Sequence, residues 1–167
     1  MKTILIMAIT LDGKIGRDPT HFVDWTGKED KKIFVKLTRD AGVIIMGSTT
    51  FDTIGRILPG RKNIVITRNK NRVSNDKDLL FTDNEPLLIL EDLESEGFKT
   101  VAMIGGSQIN SLFLKAKLID EIYVTIVPKL FGKGLSMFNE GTDIDLELIS
   151  WQEVDKGHLL LRYKAIY

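Results

Sequence analysis

The chain has 167 residues, 43% of them hydrophobic, and we expect one domain over residues 1–167 with a substantial core. Its 23 basic and 23 acidic residues cancel, which excludes the strongly basic surface typical of proteins that bind nucleic acids or anionic membranes. With no cysteine and only two histidines, His21 and His158, we expect no disulfide, no metal site and no cysteine nucleophile.

The first predicted element is a short apolar strand at residues 3–9. It is too short to span a membrane and lacks the cleavage pattern of a secretion signal, so we expect a cytoplasmic protein. The turn-rich residues 13–24 follow. They are predicted to form a loop, in a position suited to a mobile lid.

A helix is predicted over residues 28–39, because Thr26 and Glu29 have the spacing of a capping box. Asp30 shares one stripe of this helix with three apolar residues, Ile33, Phe34 and Leu37. A carboxylate on a buried, otherwise apolar stripe costs free energy unless it has a partner, so Asp30 is a candidate functional residue. The alternative is that Asp30 only complements the helix dipole.

Three predicted strands, at residues 43–46, 63–67 and 100–104, each end in groups suited to phosphate. These groups are Gly47-Ser-Thr-Thr50, Thr67-Arg68 and Gly105-Gly-Ser107, and helices predicted at 49–54 and 107–116 begin within two of them. Each alone is compatible with an ordinary helix cap. Because ligands of α/β sheets bind beyond the carboxyl ends of strands, the three together favour a phosphate-bearing cofactor.

The remaining predicted elements are strands at 79–82 and 121–127, a helix at 86–96 between Pro86 and Gly97, and loops at 69–78 and 129–141. Residues 145–151 and 158–165 flank the turn Asp155-Lys-Gly157 and predict an antiparallel hairpin at the sheet edge. Alternating strands and helices predict an α/β fold with a mainly parallel sheet covered on both faces.

For three further residues the sequence is compatible with either a structural or a functional role. Arg61 follows the tight turn Leu58-Pro-Gly60, which would direct its side chain across the sheet edge toward a carboxylate, although a solvated arginine is equally compatible. Trp25 is either a core residue or a wall of the cleft. Thr125 lies in a β-branched strand, where threonine is ordinarily only a strand former.

Together these motifs resemble dihydrofolate reductase. The resemblance runs in order through Trp25-(x)4-Asp30-(x)3-Phe34, Ile45-Met-Gly-x-x-Thr-Phe51, Leu58-Pro-Gly-Arg-Lys-Asn-Ile-Val-Ile-Thr-Arg68, Met103-Ile-Gly-Gly106 and Leu118-Ile-Asp-Glu-Ile-Tyr-Val-Thr125. It implies a three-layer fold with an eight-stranded, mostly parallel sheet and four helices. It also implies hydride transfer to C6 of 7,8-dihydrofolate and protonation at N5.

By this resemblance the catalytic group would be Asp30, Trp25 and Thr125. Asp30 would hold the pterin and promote its protonation, with Thr125 and a water linked to it. Arg61 would bind the glutamate carboxylate of the substrate. The pterin and aminobenzoate pocket would be lined by Ile6, Ala8, Phe34 and Ile54.

The implied cofactor is NADPH. Arg68 would bind its 2′-phosphate, a cis Gly105–Gly106 peptide would approach the nicotinamide and phosphates, and the lid would include Ile15 and Gly16. Thr50 and Thr67 would contact phosphate. The other expected cofactor contacts are Gly47, Ser48, Thr49, Ile104, Ser107, Gln108 and Ile109.

The chain also departs from that family, with Val23-Asp24 before the tryptophan and Ser48, Gln108 and Asn110 at usual contact positions. Segments such as Trp25-Thr-Gly-Lys-Glu-Asp30 and Pro128-Lys-Leu-Phe-Gly-Lys-Gly134 are similar instead to the reductase domain of the riboflavin-biosynthesis deaminase-reductase. Dihydrofolate reduction is favoured because Asp30 and Arg61 occur together. Reduction of a ribosylamino-pyrimidine phosphate and nucleotide binding without turnover remain alternatives, and the protein is expected to be a monomer or a homodimer.

Overall fold

The computed structural model describes residues 1–139 and 143–167. Within these ranges the elements are β1 Lys2–Thr10, β2 Lys14–Gly16, α1 Lys28–Ala41, β3 Val43–Gly47, α2 Ser48–Ile54, β4 Lys62–Ile66, β5 Leu79–Thr82, α3 Pro86–Ser95, β6 Thr100–Met103, α4 Ser107–Lys115, β7 Glu121–Val127, β8 Leu135–Ser136, β9 Asp145–Asp155 and β10 His158–Ile166. None of the described helices combines the length and apolar character needed to cross a membrane.

Eight strands form the central sheet, in the order β5-β4-β3-β6-β1-β7-β10-β9. Neighbours from β5 to β7 run parallel, whereas β10 pairs antiparallel with both β7 and β9. The hairpin of β9 and β10 therefore lies at one edge of the sheet. This arrangement confirms the predicted α/β fold with a mostly parallel sheet and an antiparallel edge.

Two apolar clusters cover the two faces of the sheet, because side chains along a strand alternate between faces. Leu5 of β1 belongs to the cluster that contains Phe113 of α4 and Leu93 of α3. Its neighbour Ile4 belongs to the other cluster, against which Phe34 of α1 packs. The fold thus has three layers, with α1 and α2 on one face and α3 and α4 on the other.

The predicted capping box at the start of α1 is wrong. Gly27 is the N-cap residue, with φ 86° and ψ 171°, and no side chain caps this end of the helix. The Thr26 hydroxyl is buried without a hydrogen-bond partner in the described part of the chain, while Glu29 pairs with Lys32 at 2.6 Å. A positive φ is accessible to glycine, so the chain turns into the helix at Gly27, one residue after Thr26.

Two predicted loops contain a strand each. Residues 14–16 form β2, which pairs antiparallel with β8 in a small second sheet, so the loops at 13–24 and 129–141 are only partly irregular. Residues 140 and 141 of the second loop lie outside the described residues. Strands of two or three residues have too little periodicity to be read from sequence, and their pairing joins distant segments.

Candidate active site

A cavity of about 1340 Å³ opens at the carboxyl ends of the central strands. It is larger than the roughly 300–1,000 Å³ of a pocket for one drug-sized ligand, so it has room for a cofactor and a substrate together. The predicted site residues line it, with the exception of Trp25, Thr125 and Gly105. The structure therefore brings together strand ends that are separated in the sequence.

The ends of β3 and β6 approach each other closely at three glycines. The Gly47 amide donates a hydrogen bond to the Gly105 carbonyl at 2.9 Å, and the Gly105–Gly106 peptide bond is cis. A Cβ at Gly47 would lie 3.0 Å from Cγ1 of Ile109, and one at Gly106 would lie 3.4 Å from Oγ1 of Thr50. Because glycine has no Cβ, the ends of β3 and β6 can approach each other this closely. This part of the cavity wall is therefore formed by backbone atoms rather than by side chains.

Helices α2 and α4 begin at these glycines. Their N-cap residues, Gly47 and Gly106, provide no side-chain cap, and the residues that follow, Ser48 and Ser107, line the cavity. The first N–H groups of a helix have no partner within it, and the helix dipole makes this end favourable for an anion. Hydroxyls and N–H groups at this wall therefore suit a phosphate-bearing ligand.

Thr67 and Arg68 extend the same wall at the end of β4. Thr67 is 9% exposed, and its hydroxyl accepts a hydrogen bond from the Asn69 amide at 3.2 Å. Arg68 is exposed, and its side chain has no ion-pair or hydrogen-bond partner within the described ranges. Its guanidinium is available for an anionic group at the cavity mouth.

The opposite wall contains Asp30 and Phe34 of α1. Asp30 is half-buried, rather than on a fully buried face as the sequence predicts, because the helix borders an open cavity there. In the described part of the chain its carboxylate has neither a hydrogen bond nor an ion pair. Apolar side chains complete this region of the lining, namely Ile6, Ala8, Phe34 and Ile54.

Arg61 is buried, with only 6% of its surface exposed. The alternative of a solvated arginine is therefore wrong, and its Nη1 donates to the Val35 carbonyl of α1 at 3.4 Å. Its Nε is buried without a partner among the described residues. Burial lowers the pKa of Arg61, and the nearby positive charge of Arg39 lowers it further. A buried cation without a counter-charge is costly, so this position favours an anionic ligand.

Trp25 and Thr125 lie outside the lining. The Trp25 ring meets Phe131 edge to face at 5.0 Å, and its indole N–H is buried with no partner in the described ranges. Thr125 is 2% exposed and stands opposite Ala8, which does line the cavity, in the register of β1 and β7. Neither side chain is part of the lining, and their predicted roles stay predictions.

Phe131 organises the segment that leads into α1, and sequence analysis did not identify it. Arg17 lies 4.3 Å above its ring, and His21, which lines the cavity, lies 5.5 Å from it. The Asp12 carboxylate accepts from the Thr10 hydroxyl and from the amides of Phe131 and Gly132. These hydrogen bonds, led by that from Thr10, hold the pKa of Asp12 at about 2. Such tertiary contacts leave no local sequence signal.

Three basic residues of the lining were also missed, Lys31, Arg39 and Arg56. A signal for two of them was present, because residues 31, 35 and 39 are spaced by four and so share one stripe of α1. The apolar residues of α1 recur on the neighbouring stripe, which contains Asp30, so their periodicity predicts the site there instead.

The fold and cavity define an α/β protein whose ligand site crosses the carboxyl ends of a parallel sheet. The dihydrofolate reductase family model matches residues 2–159, and the chain belongs to this family of oxidoreductases.

The chain is similar both to dihydrofolate reductases and to proteins of riboflavin biosynthesis. Dihydrofolate reductase of Staphylococcus haemolyticus is 32% identical, over 75% of this chain and 69% of that protein. A protein of Shewanella sp. PV-4 assigned to riboflavin biosynthesis has a structure that matches with a TM-score of 0.84 and 26% identity, over 100% of both chains. Acinetobacter baumannii RibD shares the fold, with a TM-score of 0.86 and 18% identity, over 99% of this chain and 58% of that one.

Proposed function

We propose that the chain acts as one domain that reduces 7,8-dihydrofolate to 5,6,7,8-tetrahydrofolate with NADPH. The observation that carries this proposal is that Asp30 of α1 and Arg61, which contacts the same helix, line one cavity. Arg61 contacts Val35, five residues beyond Asp30, which corresponds to about 7.5 Å of helix rise. A ligand with a polar ring at one end and a carboxylate at the other suits this separation, with apolar Phe34 between.

The residues at the strand ends fit NADPH. The close glycine backbones at β3 and β6 leave room for the cofactor, and the starts of α2 and α4 suit its phosphates. Arg68 would pair with the 2′-phosphate, which NADH lacks. When bound, NADPH supplies the hydride.

The chain's own residues would bind and orient the substrate. The Asp30 carboxylate would accept hydrogen bonds from the ring and stabilise its protonated form, because its charge lies beside apolar walls where water screens it poorly. Phe34 and Ile54 would hold the ring and exclude water. The segment joined to Phe131 would cover the cavity, since His21 lies in its lining.

A second candidate function is reduction of a ribosylamino-pyrimidine phosphate with NADPH. Two observations favour it: the similarity to the Shewanella protein, and the basic residues Lys31 and Arg39 in the lining. A phosphate could be bound by these cations in place of a carboxylate. Nucleotide binding without turnover is the candidate of another class.

Parallel assays of NADPH consumption with dihydrofolate and with the pyrimidine phosphate test the proposal. We expect rapid oxidation with dihydrofolate, formation of tetrahydrofolate, and little reaction with the pyrimidine. The reverse preference would establish the second function. NADPH binding without oxidation in either assay would establish the binding module.

A further inference from the structure

The hairpin of β9 and β10 continues one face of the central sheet beyond the buried core. Leu161 and Tyr163 of β10 stand opposite Val124 and Ile122 of β7, which belong to the core on that face. Because residues directly opposite each other in a ladder lie on the same face, the β9 residues that stand opposite Leu161, Tyr163 and Ala165 lie on it too. We name as the hairpin face the five apolar residues Leu146, Leu148, Trp151, Leu161 and Tyr163.

Exposure of this face rises from the middle of the sheet to its edge. On β1 and β7 its residues are buried in a cluster with residues of α3 and α4. Leu161 and Tyr163 of β10 are half-buried, whereas on β9 Leu148 is 50% exposed and Trp151 is 66% exposed. Leu146 on the same face of β9 is also exposed. Large apolar side chains that are exposed next to each other, rather than singly, mark a surface at which another molecule binds.

The two faces of the hairpin differ in polarity. Arg162 and Lys164 of β10 and Gln152 of β9 alternate with the apolar residues, so they lie on the opposite face. On the hairpin face, the residue that follows Trp151 toward the turn is Glu153, whose carboxylate accepts a hydrogen bond from the Gly157 amide at 2.8 Å. The described residues at the centre of the face are therefore all apolar. In a two-fold contact a surface meets its own copy, and a face without charges at its centre can do so without repulsion.

The exposed area of the chain is consistent with such a contact. Its solvent-accessible surface is 9274 Å², roughly 1,000 Å² more than the approximately 8,300 Å² of a typical monomer of 18.8 kDa. The open cavity contributes to this excess, and so does the hairpin face. Each partner of a standard interface covers about 800 Å², so an excess of this order is expected for a chain separated from its partner.

We propose that two copies of the chain associate through the hairpin face into a two-fold dimer. The two sheets would pack face to face about 10 Å apart, as in a β-sandwich, with Leu148 and Trp151 of each copy between them. Packing over the face is favoured over pairing along the edge of β9, because its register with β10 shifts twice. Such irregularities disrupt the row of N–H and C=O groups that a further strand would need. The inference goes beyond the proposed function and does not depend on the substrate.

Sedimentation equilibrium of the full chain over a range of concentrations tests the proposal. We expect the wild-type chain to have twice its 18.8 kDa mass. Leu148→Lys should raise the Kd of the dimer by about 100-fold or more, because it places one ammonium group from each copy in an apolar contact. Leu88→Lys is the matched control, since Leu88 of α3 is also 50% exposed and the substitution is the same. This variant should remain a dimer.

Tryptophan fluorescence gives a second readout at the contact itself. Trp151 is largely exposed in the isolated chain and would be buried in the dimer. Dilution of the wild-type chain should therefore shift its emission to longer wavelength and increase quenching by acrylamide. Leu148→Lys should show the emission of the diluted chain at every concentration. Thermal unfolding would verify that this variant folds, as expected for a substitution at a side chain that is half exposed.

A wild-type chain that is monomeric at about 100 μM would overturn the inference, as would a dimer that persists in Leu148→Lys. Equal loss of the dimer in Leu88→Lys would also overturn it, because the added charge would then act without regard to the face. Gln152→Lys adds the same charge on the opposite face of β9, where Gln152 is exposed, and should leave the dimer intact. A dimer that is lost in Gln152→Lys but kept in Leu148→Lys would assign the contact to that opposite face and contradict the proposal.

Discussion

At the scale of single residues, the candidate chemistry depends on two charges that have no counter-charge among the described residues. Asp30 and Arg61 lie on the same side of one cavity, one half-buried and one buried. Neither charge is explained by an ion pair within the described ranges. Charged groups left in this way at a cavity are characteristic of binding and catalytic sites, because the ligand supplies the missing partner.

Asp30→Asn should lower turnover by roughly 10²- to 10⁴-fold, because it removes the charge that would favour a protonated substrate ring. Steady-state kinetics with dihydrofolate measures the loss. The fold should persist, since Asp30 has no ion pair to lose within the described ranges. Glu29→Gln is the matched control, because it removes a neighbouring carboxylate that pairs with Lys32. Equal turnover in the two variants would rule out the role of Asp30.

Arg61→Lys should raise the KM for dihydrofolate about 10- to 100-fold, since lysine cannot make two parallel hydrogen bonds to a carboxylate. This corresponds to roughly 1.4–2.8 kcal/mol. A pterin without the glutamate tail serves as the comparison substrate, and its KM should change little. If both substrates are affected alike, Arg61 is a structural residue rather than a carboxylate site.

At the scale of elements, two connections fix the geometry of the site. Phe131 holds the segment before α1 through Arg17, His21 and Trp25. On the far side of β1, Glu121 of β7 pairs with Arg162 of β10 and with Lys2 of β1. The first connection positions a segment that contributes His21 to the cavity lining, and the second joins three strands of the sheet.

Phe131→Ala should loosen residues 17–25, because it removes the ring against which three of their side chains pack. Hydrogen exchange of this segment should accelerate by about 10-fold, as expected for a local opening made easier by roughly 1.4 kcal/mol. Leu130→Ala is the control, since Leu130 is the neighbouring side chain and is largely exposed. Unchanged exchange in Phe131→Ala would show that other contacts hold the segment.

Glu121 should contribute to stability in a defined pH range. Burial alone would raise its pKa, but hydrogen bonds and charges from Arg162 and Lys2 prevail and lower it from 4.5 to about 2. A depressed pKa means that the unfolded chain binds the proton more readily. The stabilisation is therefore complete above about pH 4.5 and is lost as the pH falls toward 2, on the order of 3 kcal/mol.

Denaturant unfolding at several pH values tests this. The free energy of unfolding of Glu121→Gln should fall less steeply between pH 4.5 and pH 2.5 than that of the wild-type chain. Glu91→Gln is the control for the loss of one negative charge. Glu91 is exposed and has no ion pair in the described ranges. If the free energy of unfolding falls equally steeply with pH in the wild-type chain and in Glu121→Gln, Glu121 does not provide the predicted stabilisation.

Local sequence patterns predicted many of the elements, although the capping box at the start of α1 was wrong. Pro86 begins α3 as predicted, and Gly47 and Gly106 precede helices at strand ends that prove to be neighbours in the sheet. Prediction failed where tertiary contacts decide. The pairing of β2 with β8, the inward course of Arg61 and the cluster around Phe131 all depend on segments far apart in the chain.

At the scale of the whole molecule, a neutral chain carries an uneven charge distribution across its cavity. Arg68 follows the end of β4, while Lys31 and Arg39 lie along α1 and Arg61 contacts that helix. Both regions favour anionic ligands, yet the overall charge of zero gives no sign of this. These positive charges line a cavity at the carboxyl ends of the strands, where ligands of α/β sheets bind.

The central claim is that the substrate is a dihydrofolate, and a competition experiment tests it most directly. The chain is incubated with NADPH and equal concentrations of dihydrofolate and the ribosylamino-pyrimidine phosphate, and both products are quantified over time. The ratio of initial rates gives the ratio of kcat/KM values, which defines specificity. The account predicts that tetrahydrofolate forms at least about 100-fold faster, a difference of roughly 2.8 kcal/mol in transition-state binding. Preferential reduction of the pyrimidine would contradict it.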